Sequence, residues 1–218
     1  MQYQAIVFDM DGVICDTERL AIEFWKEVAK KHNIPNIEHT CIQCLGTNRV
    51  RTREIFLENY GADFPFDPYC AEVTELFNTH YKGVPLPTKP GVRELLSYLQ
   101  EQDIKVGLAS STAQHLVRDE IGTAGLLPYF QTLVCGDMVE HSKPAPDIFL
   151  KACEILNADP TKSIAIEDSF NGIRSAHCAG MTPIMVPDQV QPTDEIRTLA
   201  FHVMPSLLDV LNWLKTLA

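Results

Sequence analysis

The 218-residue chain has no run of about 20 apolar residues, the length that spans a bilayer, and no block of Lys and Arg. The first absence argues against a transmembrane helix. The second, with 18 basic residues against 29 acidic ones and a net charge of −11, argues against a general nucleic-acid surface. Small anionic substrates stay open, because a metal ion and a few local cations can reverse the field in one pocket. No basic stretch precedes the first apolar run, so no secretory signal is read and a cytoplasmic protein is expected. The seven cysteines are odd in number and scattered, several inside apolar runs (Cys135, Cys153), which fits reduced thiols rather than a disulfide frame. Cys41-Ile42-Gln43-Cys44, with His39 nearby, lacks the second pair that a four-ligand zinc site needs. There is no internal repeat and no low-complexity tract. What remains is an ordinary soluble composition, 45% apolar and 22% charged, long enough to bury a sizeable core in one or two domains.

Apolar runs of strand length stand at Ala5 to Asp9, Lys105 to Ser110, Thr132 to Gly136, Ser163 to Asp168 and Thr182 to Val186, with a weaker one at Phe201 to Met204. Most are continuous rather than alternating, as in strands buried on both faces. Between them lie helical patterns at Gly91 to Glu101, Thr112 to Ala124, Pro146 to Leu156 and Phe170 to Ala179, and another closes the chain at Leu207 to Leu217. Alternation of strand and helix predicts a parallel sheet covered by helices, with ligands at the carboxyl ends of the strands.

One segment breaks the alternation. From about Asp16 to Leu86 no strand run occurs; helices are expected from Thr17, as N-cap, to Lys31, from Asn48 to Asn59 and from Pro68 to Tyr81. About 70 residues exceed any crossover loop. The fold class expected is therefore α/β, a Rossmann-like parallel sheet core (1–15 and 87–218) with a small all-helical cap domain inserted at 16–86. Trp25 and the Leu and Phe positions would form the cap's core.

The strand ends carry the chemistry. Asp9 and Asp11 follow the first run and precede Gly12; residues i and i+2 of a strand point the same way, so both acids can crowd one spot. The second run ends in Ala109-Ser110-Ser111-Thr112, hydroxyls at a helix start that suit phosphate. After the third comes His141-Ser142-Lys143-Pro144-Ala145-Pro146-Asp147, and the fourth ends in Ile166-Glu167-Asp168-Ser169. Each alone also reads as an Asp-Gly turn, an N-cap or a surface lysine. The fold logic gathers all four at one sheet edge. Up to four carboxylates there suit Mg²⁺, and the lysine and hydroxyls suit a phosphate.

With Asp9-Met10-Asp11-Gly12-Val13, Leu108-Ala109-Ser110-Ser111, Lys143-Pro144-Ala145-Pro146-Asp147 and Ile166-Glu167-Asp168-Ser169 in this order, the chain resembles haloacid-dehalogenase-superfamily phosphohydrolases with a helical cap after the first strand, of the β-phosphoglucomutase and sugar-phosphatase subgroup. The resemblance implies Asp9 as nucleophile, forming an aspartyl-phosphate, and Asp11 as general acid and base. It implies Mg²⁺ on Asp9, the Asp11 carbonyl and Asp168, with Glu167 ligating through water or supporting Asp168. Ser110, Ser111 and Lys143 would hold the phosphate oxygens. True haloacid dehalogenases lack an acid at position 11 and need no metal, so this chain resembles the phosphoryl-transfer branch. Candidate cap contacts to substrate are Asp16, Thr17, Glu18, Gly46 and Arg49, although Arg49 and Arg53 also read as solvated helix surface.

The function expected is a Mg²⁺-dependent phosphoric monoester hydrolase acting on a small phosphorylated metabolite, a sugar or polyol phosphate. No nucleic-acid or membrane partner is expected, and no protein partner is readable. The nearest alternative is a β-phosphoglucomutase-type mutase, which carries a His where this chain has Ala21 and pairs an Arg with a Lys in its cap; Arg49 fits the first and Lys82 is a weak counterpart of the second. A more distant one is a non-catalytic metabolite-binding regulator, against which the crowded acids argue.

Overall fold

The computed structural model describes residues 3–45, 47, 49–81 and 83–217. The candidate Gly46 and the cap residue Lys82 lie outside them. Six parallel strands form one sheet in the order β3-β2-β1-β4-β5-β6: β1 (Ala5–Phe8), β2 (Lys105–Ser110), β3 (Thr132–Cys135), β4 (Ser163–Glu167), β5 (Thr182–Met185) and β6 (His202–Val203). The winding reverses at β1, which pairs with β2 on one side and β4 on the other. A ligand crevice is expected at such a reversal, outside the carboxyl end of the central strand.

The cap supplies α1 (Thr17–His32), α2 (Ile37–Cys44), α3 (Arg49–Tyr60) and α4 (Phe66–Tyr81). The core supplies α5 (Val92–Glu101), α6 (Gln114–Thr123), α7 (Asp147–Leu156), α8 (Phe170–Cys178), α9 (Asp194–Leu199) and α10 (Leu207–Lys215). The fold is thus the expected α/β architecture with a helical cap. No described helix is long and apolar enough to cross a membrane.

Strand pleating divides the core. Ile6, Phe8, Leu108 and Ile166 pack with Leu95, Leu96, Val117, Ile121 and Val210 on one face of the sheet. Ala5, Val7, Ala109 and Ala165 pack with Phe149, Ala152, Leu156 and Ala176 on the other. The cap has an aromatic core of its own. Phe56 is fully buried, with ring centroids of Trp25 at 4.7 Å, Phe66 at 5.3 Å and Tyr69 at 5.8 Å. Trp25 is only partly buried, flanking that cluster. The two linkers between sheet and cap are stitched together. Asp16 N–H donates to the Pro87 carbonyl at 2.8 Å and Lys89 N–H to that of Ile14 at 2.9 Å. The Lys89 ammonium then ties this hinge to Asp188 of the core at 2.7 Å.

Three local expectations need correction. The N-cap of α1 is Asp16, not Thr17, whose hydroxyl goes to Asp11 instead. The last cap helix starts two residues earlier, at Phe66, so that Pro68 lies in its first turn, where a missing N–H costs nothing. Helices α2 and α9 are additional. α2 opens at Asn36 in the left-handed region (φ 54°), and α9 is a six-residue segment capped by Thr193, whose hydroxyl accepts from Ile196 N–H at 3.3 Å.

Candidate active site

The register explains why two acids meet one lysine. Phe8 is level with Leu108 and Ile166, so Asp9 and Glu167 follow on adjacent strands and share the parity of Val7 and Ala165, the α7 face. Lys143, in the loop before α7, reaches both from that face. Its ammonium donates to Asp9 Oδ1 at 2.5 Å, to Glu167 Oε1 at 2.6 Å and to the Ala109 carbonyl at 3.0 Å, above the Phe149 ring. Burial pushes this ammonium down, but Asp9 and Glu167 more than offset it, and its pKa stands above the ordinary lysine value.

Glu167 is already saturated. Its second oxygen accepts from the N–H groups of Asp168 (3.1 Å) and Ser169 (3.0 Å) and from the Ser169 hydroxyl (3.0 Å). It packs under the start of α8, where a Cβ on Gly172 would fall 1.8 Å from its carboxyl carbon, so only glycine fits. Asp168 is buried, and its Oδ2 has no hydrogen-bond partner among the described residues. Gly12, at φ +82°, lets the β1 loop approach that atom; a Cβ there would lie 2.3 Å from it. Burial first, then the neighbouring carboxylates, raise the pKa of Asp168 well above the usual range. Burial likewise raises Asp9, Lys143 pulling against it and Glu167 and Asp11 pushing with it.

These features fit a divalent cation. One oxygen from each of Asp9, Glu167 and Asp168 lies within 4.8 Å of the others. Lys143 pairs with Asp9 and Glu167, and Asp168 has no ion-pair partner among the described residues, so a cation is electrostatically lacking. An all-oxygen donor set with one orphaned carboxylate oxygen suits Mg²⁺.

Asp11 is held differently. The Thr17 hydroxyl donates to its Oδ1 at 2.6 Å; the hydroxyls of Thr112 (3.1 Å) and Ser110 (3.4 Å) approach its Oδ2. Asp9, Asp11, Thr17, Glu18, Ser111, Thr112 and Asp168 line one cleft of about 310 Å³ between cap and core.

The sequence model of the haloacid dehalogenase-like hydrolases matches residues 6–186. The chain belongs to this family. A phosphorylated-carbohydrates phosphatase of Thermotoga maritima is 33% identical over 181 residues, 83% of each chain. A β-phosphoglucomutase of Bacillus subtilis is 34% identical over 199 residues, 87% of this chain and 85% of its own. The crystal structure of a β-phosphoglucomutase from Clostridium difficile has the same fold, with a TM-score of 0.80 at 24% identity, covering 98% of this chain and 96% of that one.

Within this haloacid dehalogenase-like frame, Asp9, Asp11, Thr17, Glu18, Ser111, Lys143, Glu167 and Asp168 come together. Ser110 is fully buried behind the cleft wall; its hydroxyl accepts from Thr112 N–H at 3.1 Å. Asp16 is drawn into the hinge, bonded to Arg19 at 2.9 Å. Arg49 is not on the cleft wall. It is exposed, paired with Asp67 at 2.9 Å and stacked over Phe66. The arginine facing the space between cap and core is Arg51, which with Ile55, Glu58 and Asn59 lines a neighbouring cavity of about 800 Å³ that reaches Lys143 and Arg174. The sequence reading missed Thr112 as a partner of Asp11, although it ends the hydroxyl cluster already noted. It also missed Glu120 of α6, whose carboxyl is pushed up to about 8 by burial and by Asp11. The Cys41 thiol is pushed up to about 12 by burial, and no Cys belongs to a metal-binding group among the described residues.

Proposed function

We propose that the protein is a Mg²⁺-dependent phosphatase that hydrolyses a small sugar or polyol phosphate through an aspartyl-phosphate on Asp9. The observation that carries this reading is the contrast between the two acids. Asp9 is pinned by Lys143 at the sheet edge, while Asp11 is held by hydroxyls on the same cleft wall. A fixed nucleophile and a separately oriented proton carrier are what a two-step displacement needs.

In the first step a carboxylate oxygen of Asp9 attacks phosphorus and the ester P–O bond breaks. Asp11 gives its proton to the leaving alcohol oxygen. In the second, Asp11 takes a proton from water as the water oxygen attacks phosphorus, and the P–O bond to Asp9 breaks, restoring its carboxylate and releasing inorganic phosphate. Lys143, Ser111 and the amides at the end of β2 would hold the non-bridging oxygens, where charge spreads in the transition state. Asp9, the Asp11 carbonyl and Asp168 would hold Mg²⁺, with Glu167 fixing Asp168 from behind. When bound, the ion supplies the positive charge that offsets repulsion between anionic nucleophile and anionic substrate. The cap would enclose the leaving group over the cleft.

The test is phosphate release from a panel of phosphorylated sugars and polyols, with Mg²⁺ and with EDTA. Turnover that needs the metal supports the reading; no release from any substrate would overturn simple hydrolysis. The 34% identity to a β-phosphoglucomutase supports a second reading, transfer of the phosphoryl group back to the sugar. Hexose-phosphate isomerisation primed by a bisphosphate would reveal it. Ala21, in place of the mutase's His, favours hydrolysis.

A further inference from the structure

Beside the catalytic cleft lies a smaller cavity of about 150 Å³ inside the cap. Its wall includes Glu18, Ala21, Ile22, Trp25, Cys41 and Cys44. The first four recur at helical spacing on one face of α1; the cysteines come from α2. Glu18, Ala21, Trp25 and Cys44 also line the catalytic cleft. The same four side chains therefore border both the reacting acids and this space.

The chemistry of the wall is selective. Buried thiols behave as small hydrophobes, and Trp25 brings a large apolar surface. Glu18 is the wall's one carboxyl, and among the described residues the wall carries no lysine or arginine. A leaving group with a second phosphate or a carboxylate would thus lose its hydration without meeting a lysine or arginine of the wall. A cavity of about this volume accommodates a six-membered ring. Ala21 borders this space, so a longer side chain there would project towards it.

We propose that this cavity is the leaving-group subsite of the enzyme and that it selects monophosphate esters of small uncharged alcohols, whose C–H face packs on Trp25 while a hydroxyl reaches Glu18. The inference rests on the phosphatase reading for its catalytic step, but the subsite can be tested without turnover.

Three probes separate the cases. Acetyl phosphate ends before the cavity, phenyl phosphate fills it, and 4-carboxyphenyl phosphate puts a charge in it. Wild type is expected to favour phenyl over 4-carboxyphenyl phosphate by roughly ten-fold or more in kcat/KM, although the latter has the better leaving group. Ala21→Leu is expected to lower kcat/KM for phenyl phosphate, relative to acetyl phosphate, by roughly ten-fold or more. Phenyl phosphate is also expected to quench tryptophan emission in wild type and not in Ala21→Leu. Hydrolysis of acetyl phosphate with equal use of both aryl esters and no quench would overturn the subsite and leave the phosphatase standing. Quench in wild type, lost in the variant, without hydrolysis of any probe would do the reverse. Should Ala21→Leu fail to fold, the wild-type aryl preference decides alone.

Discussion

The Thr17 hydroxyl lies 2.6 Å from Asp11 Oδ1, so the first residue of the cap's first helix orients the acid two positions beyond Asp9. The cap is in this way wired to the reaction centre through the same turn that launches it. Thr17→Val keeps the shape and removes the bond. A hydrogen bond to a charged group contributes about 1.5–3 kcal/mol, so kcat is expected to fall roughly ten-fold or more, with a smaller change in KM. Steady-state kinetics checks this; an unchanged kcat would show that Thr112 and Ser110 suffice to orient Asp11.

Much of this site was readable in the sequence because its parts are strand ends. A continuous apolar run fixes a buried strand, a reversal of strand order fixes the crevice, and Asp9, Asp11, Glu167 and Asp168 follow those runs directly. Lys143 was readable as a candidate, but its bond to Asp9 joins residues 134 positions apart, and its reach to Glu167 as well depends on the pleat parity of two strands. Arg49 shows the opposite case. Arg49, Arg51 and Arg53 stand on one helix, and the residue that faces the cavity beside the cleft is set by the rotation of α3 about its buried Ile55 and Phe56. That rotation comes from tertiary packing and leaves no trace in local spacing. Thr17 misled for a related reason. Its hydroxyl can cap a helix or bond a distant acid, and the sequence does not rank the two.

Lys143→Met would leave Asp9 and Glu167 buried without their shared cation. Breaking a buried pair by removing one partner costs about 3–5 kcal/mol. Denaturation in EDTA is expected to show a loss of this order, and Mg²⁺ to restore part of it. Phosphate release is expected to be lost as well, since Asp9 would lose the cation that pins it.

Metal binding should be visible in stability. The pKa of Asp168 is raised in the metal-free protein, so its contribution to stability is full at pH below its unfolded value and is lost as pH rises towards its folded one. A cation takes over where the proton leaves. Mg²⁺ is therefore expected to raise Tm more at pH 8 than at pH 5, and Asp168→Asn to abolish most of that gain. Equal Mg²⁺ shifts in variant and wild type would place the ion elsewhere.

Glu120 supplies a pH dependence independent of the metal. Burial, then Asp11 and Asp119, raise its carboxyl from 4.5 to about 8. For an acid raised on folding, the stabilising contribution is present below the unfolded pKa and disappears as pH climbs to the folded one. Wild-type Tm should therefore decline between about pH 4.5 and 8 more steeply than that of Glu120→Gln. Parallel curves for the two proteins would show that this carboxyl does not titrate in that window.

The most direct test of the central claim follows the phosphoryl group itself. A substrate labelled with ³²P is mixed with enzyme and Mg²⁺, quenched in acid during turnover, and the protein is digested. The account predicts label on the peptide carrying Asp9, released by hydroxylamine, with neither label nor turnover in Asp9→Asn. Turnover retained in Asp9→Asn, or label on another residue, would contradict it.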